Sequence, residues 1–399
     1  MSRGGPEPQP EDGPSPGSSL RRVAAFGLVL PPAGGSSVAE AAELGQAAGT
    51  GPIEVADGSW PMFLRRLGAH SLTGLATAAA NAGVLRLGDS EREQLAAVHR
   101  RVMQLNLALE QRLLAATEAF GAEGIEVVGL KGSAVARTAY PDPSWRPFKD
   151  LDLLVRTRDW ERSCRLLGEL GYARKLGEPR PGFDERFGKA ATHLSSDGFE
   201  LDLHRRLVLG PFGLWMDPEP LFDRTATVQV GGRTLRRLGD TDLLLHACIH
   251  AALGWSPPLP MPVRDVAQIA TSVPMDWDLL AASARLWRLT VVVDHALRTA
   301  SEATGWEPGD EARRLMTAAA TPQEQRALHA YTGDRRWRGA TALSSVRAIP
   351  GVRSKLAYVS TLVYPSREFL SARSAGSHGS YLTRWATALR WLAHFRKGD

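Results

Sequence analysis

Two cysteines in 399 residues, Cys164 and Cys248, are too few for a disulfide scaffold. Both sit in apolar, helix-like surroundings, where a buried free thiol is the ordinary state. No apolar run approaches the roughly 20 residues that cross a bilayer, so a transmembrane anchor is not expected. No repeat of solenoid type is visible. Neither sign of charge dominates: 48 Lys and Arg face 43 Asp and Glu, a net charge of +5. That mild excess suits phosphate binding without demanding a polynucleotide, whose partners usually carry clustered basic patches with interleaved aromatics. Hydrophobic residues make up 43% of the chain, enough to core two or three packed units. Arg21-Arg22 and the apolar stretch 23–30 resemble an export signal, yet the stretch is short and stops at Pro31-Pro32. The expectation is therefore a reduced, cytoplasmic protein.

What the chain does have is a pair of acidic strands. Lys149-Asp150-Leu151-Asp152-Leu153-Leu154-Val155 puts Asp150 and Asp152 on one strand face and Leu151 and Leu153 on the other. In Phe199-Glu200-Leu201-Asp202-Leu203-His204 the same parity groups Glu200, Asp202 and His204. A half-exposed strand would show this alternation for solubility alone. Asp, however, is disfavoured in strands, and its recurrence in two apolar frames calls for a compensating use. Carboxylates on neighbouring strands form the oxygen-rich cluster that magnesium and two-metal phosphoryl chemistry require. Upstream, the apolar run 125–130 enters Lys131-Gly132-Ser133 and a helix-like stretch 134–140. A strand, a small-residue turn and a helix start can cradle an anion on free backbone N–H groups. Together these features point to an enzyme acting on a nucleotide.

Residues 1–19, rich in Gly, Pro, Ser and Glu, read as disordered, and 31–51 as flexible. The clearest helix spans about 89–122, with Ser90 and Glu93 as a capping box and Leu95, Val98, Val102, Leu105, Leu109, Leu113 and Phe120 at helical spacing. A second helix is expected over 158–170. The Gly- and Pro-rich stretch 177–188 reads either as a mobile loop near substrate or as a plain surface insertion. Residues 228–235 read as a hairpin turning at Gly231-Gly232, and the chain beyond a cap at Asp240 as helical. Leu382, Trp385, Leu389 and Leu392 share one face of a basic C-terminal segment, 381–397, that suits docking on its own domain more than a membrane or nucleic acid.

Leu130-Lys131-Gly132, Arg146, Asp150-Leu-Asp152-Leu-Leu-Val and Leu-Asp202-Leu-His204 together resemble the uncharacterised nucleotidyltransferase family of the DNA polymerase beta superfamily. The likeness extends with less specific signals through His246, His250, Arg264-Asp265, Trp277-Asp278 and Pro365-Ser366-Arg367, about 60–395 in all. The long, Pro-containing stretch between Gly132 and Asp150 departs from the wider superfamily but is similar to that of the family. The resemblance implies an α+β fold, a small mixed β-sheet core flanked by N- and C-terminal helical regions. The corresponding division is a leader 1–19, a helical region 20–122, a nucleotidyltransferase core 123–238 and a helical domain 239–399. It implies magnesium-dependent transfer of a nucleoside monophosphate from an NTP such as ATP to a hydroxyl-bearing acceptor, with release of pyrophosphate.

In that mechanism Asp150, Asp152 and Asp202 are the catalytic and metal-binding acids for two Mg2+ ions, with Mn2+ as a substitute, and Lys131, Gly132, Ser133 and Arg146 contact the nucleotide. Lys131 and Arg146 read equally well as surface charges. Glu200 competes with Asp202 for the third acid, and Asp202 is preferred because the family places its acid two residues before the histidine. His204 either meets substrate, orients Asp202 or is satisfied by a local hydrogen bond. His246 and His250, four apart on a helix, have zinc spacing but no third ligand in any recognisable pattern, so they read as core histidines. The acceptor is a small molecule, peptide natural product, protein or RNA. Two rival readings are a non-catalytic nucleotide- or RNA-binding module on the same fold, and a metal-dependent phosphohydrolase using the histidines and Asp265.

Overall fold

A computed structural model describes residues 16–28, 51–56, 58–333 and 340–373. The expectations for 1–15, for most of 31–51 and for the basic segment 381–397 lie outside the described residues. Among the described residues the fold is α+β, with one mixed seven-stranded sheet between helices that precede and follow it. The strands are β1 Val127–Gly129, β2 Leu151–Val155, β3 Tyr172–Arg174, β4 Ala190–Ser195, β5 Glu200–His204, β6 Ala226–Val230 and β7 Arg233–Arg237. Their order is β3-β4-β5-β2-β1-β7-β6. β2 runs parallel to β5 and antiparallel to β1, while β1 runs parallel to β7. The expected hairpin is present as β6 and β7, turning on Gly231 and Gly232 at φ 54° and 77°, values that a turn of this hand requires and glycine adopts freely.

Strand parity sorts the sheet's side chains into two layers. Leu151, Leu153, Val155, Leu201 and Leu203 pack in one apolar cluster with Leu109, Leu113 and Phe120 of the long helix Asp89–Ala122. Leu154, on the opposite parity, belongs to a second cluster formed with the helices Asp240–Leu253, Pro260–Ser272 and Thr290–Thr304 and with the N-terminal helices Trp60–Ala69 and Thr73–Asn81. Asp152 shares the parity of Leu154, so the acids face the helical layer.

Several local details differ from the sequence reading. The helix Pro16–Ala25 covers four residues expected to be disordered, and Leu20, Val23, Phe26 and Leu28 are buried in the second cluster. Arg264, itself buried, holds this segment by donating Nη1 hydrogen bonds to the carbonyls of Ala24 and Phe26 at 2.7 and 2.6 Å. The long helix is capped slightly earlier than expected: Glu91, not Glu93, reaches back to the N–H of Gly88 at 3.0 Å. Its buried stripe passes through Asn106 and Glu110, leaving Leu105 exposed, because those polar side chains have partners beneath the helix. The expected helix 158–170 is Trp160–Glu169. Stretch 177–188 contains the short helix Phe183–Phe187, whose two phenylalanines pack on Tyr358 of the helix Val352–Val363. Helix Asp240–Leu253 is N-capped by Gly239, with Asp240 its first residue.

Candidate active site

The site grows from three neighbouring strands. Because β2 and β5 are parallel and in register, Asp152 lies directly opposite Asp202 and Leu154 opposite His204. β1 ends beside them: the N–H of Leu130 donates to the Asp152 carbonyl at 3.1 Å, which delivers Lys131 to the acids. Asp152, Asp202 and His204 each offer a ligand atom, all within 4.8 Å of one another. Among the described residues this is the one group of three or more acidic, histidine or cysteine side chains close enough to hold a metal ion.

Hydrogen bonds fix the orientation of that group. Asp152 Oδ1 accepts from His204 Nε2 at 2.9 Å and from Lys131 Nζ at 2.9 Å. Asp202 Oδ1 accepts from the Thr192 hydroxyl at 2.6 Å. Among the described residues nothing is bonded to the Oδ2 atom of either acid, so both carboxylates keep an oxygen for a hard cation. On this count the donor set fits a magnesium-type ion.

Burial alone would raise the affinity of Asp152 for a proton, but Lys131 and His204 outweigh it and hold the carboxyl well below the usual range. Lys131 is likewise kept charged: burial opposes its charge, and Asp152 and Asp150 more than restore it. Asp150 behaves oppositely. It stands one residue before β2, outside the ligand group, and burial together with the charge of Asp152 pushes its carboxyl upward. Burial and then Lys189 lower the affinity of His204 for an additional proton.

The other sequence candidates have partners elsewhere. Glu200 points to the surface and pairs with Lys175. Ser133 is buried and donates its hydroxyl to Glu110 at 2.5 Å, and the same carboxylate receives Arg137 Nε and Nη2 at 2.8 Å each. Arg146 is buried in a two-point ion pair with Asp265, at 3.1 and 2.7 Å, to which the Tyr140 hydroxyl also donates at 2.8 Å. Arg264, the sequence neighbour of Asp265, instead bonds the N-terminal carbonyls and Gln268. Gly132 has φ 55°, and a Cβ there would meet the Phe148 ring at 3.3 Å, so the turn needs glycine for its own packing. Asn106 grips both the N–H and the carbonyl of Phe148, which steadies the approach to Asp150.

Three residues that sequence reasoning had not placed at the acids are brought there. Lys189, ahead of β4, comes within electrostatic reach of Lys131, Asp152, Asp202 and Asp150. His246 and His250 extend from the helix Asp240–Leu253 within reach of Lys131 and Asp152. Burial and then Lys131 lower the proton affinity of both, that of His250 to about 3, so both are neutral at pH 7. The four-residue spacing was visible in the sequence. The side of the helix that would face the sheet was not.

Residues 56–305 match the family described as uncharacterised nucleotidyltransferase. A solved structure, an antigenic nucleotidyltransferase-like protein from Paracoccidioides brasiliensis, is similar at 16% identity over 52% of this chain and 95% of that chain, with a TM-score of 0.33. Among curated proteins, none matches. The family match covers more than half of the chain: it belongs to the uncharacterised nucleotidyltransferase family and is a nucleotidyltransferase enzyme. Among the described residues no helix is long and apolar enough to cross a membrane.

Proposed function

We propose that the enzyme transfers a nucleoside monophosphate from an NTP to a hydroxyl-bearing acceptor, releases pyrophosphate and depends on magnesium, with manganese as a substitute. The observation that carries this reading is the in-register pairing of Asp152 with Asp202, two carboxylates with an oxygen free on each, beside a lysine that stays charged. Asp152 and Asp202 would hold the metal, with Asp150 joining them. When bound, magnesium would neutralise phosphate charge and lower the pKa of the acceptor hydroxyl.

The protein's own groups do the positioning. Thr192 and His204 lock the carboxylates so that they need not reorganise during transfer. Lys131 supplies a fixed positive charge for the phosphates. The turn at Gly132 and Ser133 offers backbone N–H groups, while the Ser133 hydroxyl is committed to Glu110. Arg146, committed to Asp265, supports the segment leading to Asp150 and adds long-range positive charge to it. Asp265 is engaged by Arg146 and Tyr140, which favours the acids of the sheet over the helical half as the transfer site. We also assign the enzyme to the cytoplasm, where triphosphate is available.

The test is incubation with each of the common nucleoside triphosphates, labelled at the α-phosphate, with magnesium and a cell extract. Label should move to an acceptor with matching pyrophosphate release, and Asp152→Asn should lack both. Absence of transfer and of pyrophosphate with every triphosphate would overturn the reading.

A further inference from the structure

Lys189 has the surroundings of a ligand-binding cation. Its carbonyl accepts from the N–H groups of Arg205 and Arg206 at 2.9 and 3.1 Å, which ties position 189 to the end of the strand carrying Asp202 and His204. The chain before it is tied as well. Arg205 Nη1 donates to the Asp184 carbonyl at 2.7 Å, Arg174 pairs with the Asp184 carboxylate, and Phe183 and Phe187 pack on Tyr358 with ring centroids 5.9 and 5.1 Å away. The ammonium is thus delivered by an anchored segment.

Its charge is poorly answered. The side chain is half-buried, and Lys131 is the charged group that acts on it most strongly, ahead of Asp152, Asp202 and Asp150. Lys131 has Asp152 at 2.9 Å, whereas Lys189 makes no ion pair or hydrogen bond through its ammonium among the described residues. Two ammonium groups that act on each other in partly buried space repel, and the repulsion is relieved when an anion binds near both. Three carboxylates on the same side make a lone monoanion a poor occupant. A polyphosphate brings enough negative charge for both lysines while its metal ion faces the acids.

We propose that Lys189 is a phosphate-binding residue that, together with Lys131, grips the triphosphate tail of the nucleotide and hence the departing pyrophosphate. The identity of that ligand rests on the nucleotidyl-transfer reading. Burial and then the charge of Lys131 weaken the hold of Lys189 on its proton, as expected of a cation without a direct counter-charge.

Calorimetric titration of inorganic tripolyphosphate with magnesium tests this without acceptor or turnover. Lys189→Met should bind about tenfold or more weakly, the loss expected for one charge-assisted contact. Lys189→Arg should recover part of the affinity, and the melting temperature of Lys189→Met should equal or exceed that of the parent. Should the methionine variant fail to fold, Lys189→Gln carries the same comparison. Unchanged affinity in a folded variant, or no tripolyphosphate binding by the parent, overturns the proposal. Tripolyphosphate binding that depends on Lys189, in a protein that transfers no α-label, would sink the transfer reading alone.

Discussion

Asp150→Asn and Asp152→Asn should shift the stability of the metal-free protein in opposite directions, although the two acids lie two positions apart and share a face. Asp152 is nearly inaccessible, its side chain 1% exposed, and its Oδ1 neutralises Lys131 and binds His204. Removing the charge leaves Lys131, whose side chain is 16% exposed, without its direct partner. Breaking one side of a buried pair costs about 3–5 kcal/mol. The amide introduced by Asp152→Asn still offers an oxygen and Asp150 still acts on Lys131, so the low end, about 3 kcal/mol, is expected. For a chain of this size that corresponds to a fall of about 4 °C in melting temperature.

Burial and the charge of Asp152 both work against an ionised Asp150, so Asp150→Asn should raise the melting temperature. The pH dependence differs in sign too. The raised folded pKa of Asp150 means that the native state binds the proton more tightly than the unfolded chain, so its contribution to stability is lost as pH rises. The depressed pKa of Asp152 means that its contribution is present above the ordinary aspartate range and lost on acidification below it. Thermal scans with a chelator at pH 3, 5 and 7 follow both. An Asp152→Asn protein as stable as the parent, or an Asp150→Asn protein less stable at pH 7, would refute the assignment of Lys131 to Asp152.

Asp202→Ala should abolish transfer while nucleotide still binds, and Glu200→Ala, which loses only a surface pair with Lys175, should keep most activity; steady-state rates alongside calorimetry rank the two. Gly132→Val should lower the melting temperature as well as impair binding, since it must adopt a positive φ and crowd Phe148; a variant as stable as the parent would contradict the turn geometry. Asp265→Ala should cost about 3–5 kcal/mol in urea unfolding by stranding the buried Arg146, with Asp265→Asn milder. Ser133→Ala should cost only about 1–2 kcal/mol, because Arg137 still satisfies Glu110.

The acids were legible in the sequence because a strand's two-residue period is a local property. Leu151, Leu153, Leu201 and Leu203 announce which parity goes to the core, and Asp152, Asp202 and His204 follow on the other. The hairpin at Gly231-Gly232 and the long helix were readable for the same local reason, and the α+β class followed from the family resemblance. What could not be read is set by partners far along the chain. Nothing near Arg146 announces Asp265, 119 residues away, and nothing near Ser133 announces Glu110 on the long helix. The buried polar pair Asn106 and Glu110 likewise breaks the apolar spacing that suggested Leu105 as a core position. The two histidines of the helix Asp240–Leu253 reach the acids only through the packing of the helical layer on the sheet, and Lys189 only through the tie of its carbonyl to the end of β5.

The hold of Arg264 on Ala24 and Phe26 spans 240 and 238 residues, which gives the first helix an unusual history during synthesis. When that helix leaves the ribosome, the helices Trp60–Ala69 and Thr73–Asn81 soon follow, but the part of its seat on Pro260–Ser272 and Thr290–Thr304 does not yet exist. Leu20, Val23 and Phe26 must wait only partly covered while more than half of the enzyme is still being made, a period in which apolar side chains recruit chaperones or one another. A product interrupted shortly before residue 264 would carry the complete pair of acidic strands and an unseated N-terminus. Such fragments should be cleared or aggregate rather than accumulate as small active enzymes, so the cell meets this chemistry only once the helical layer has closed over both ends of the contact.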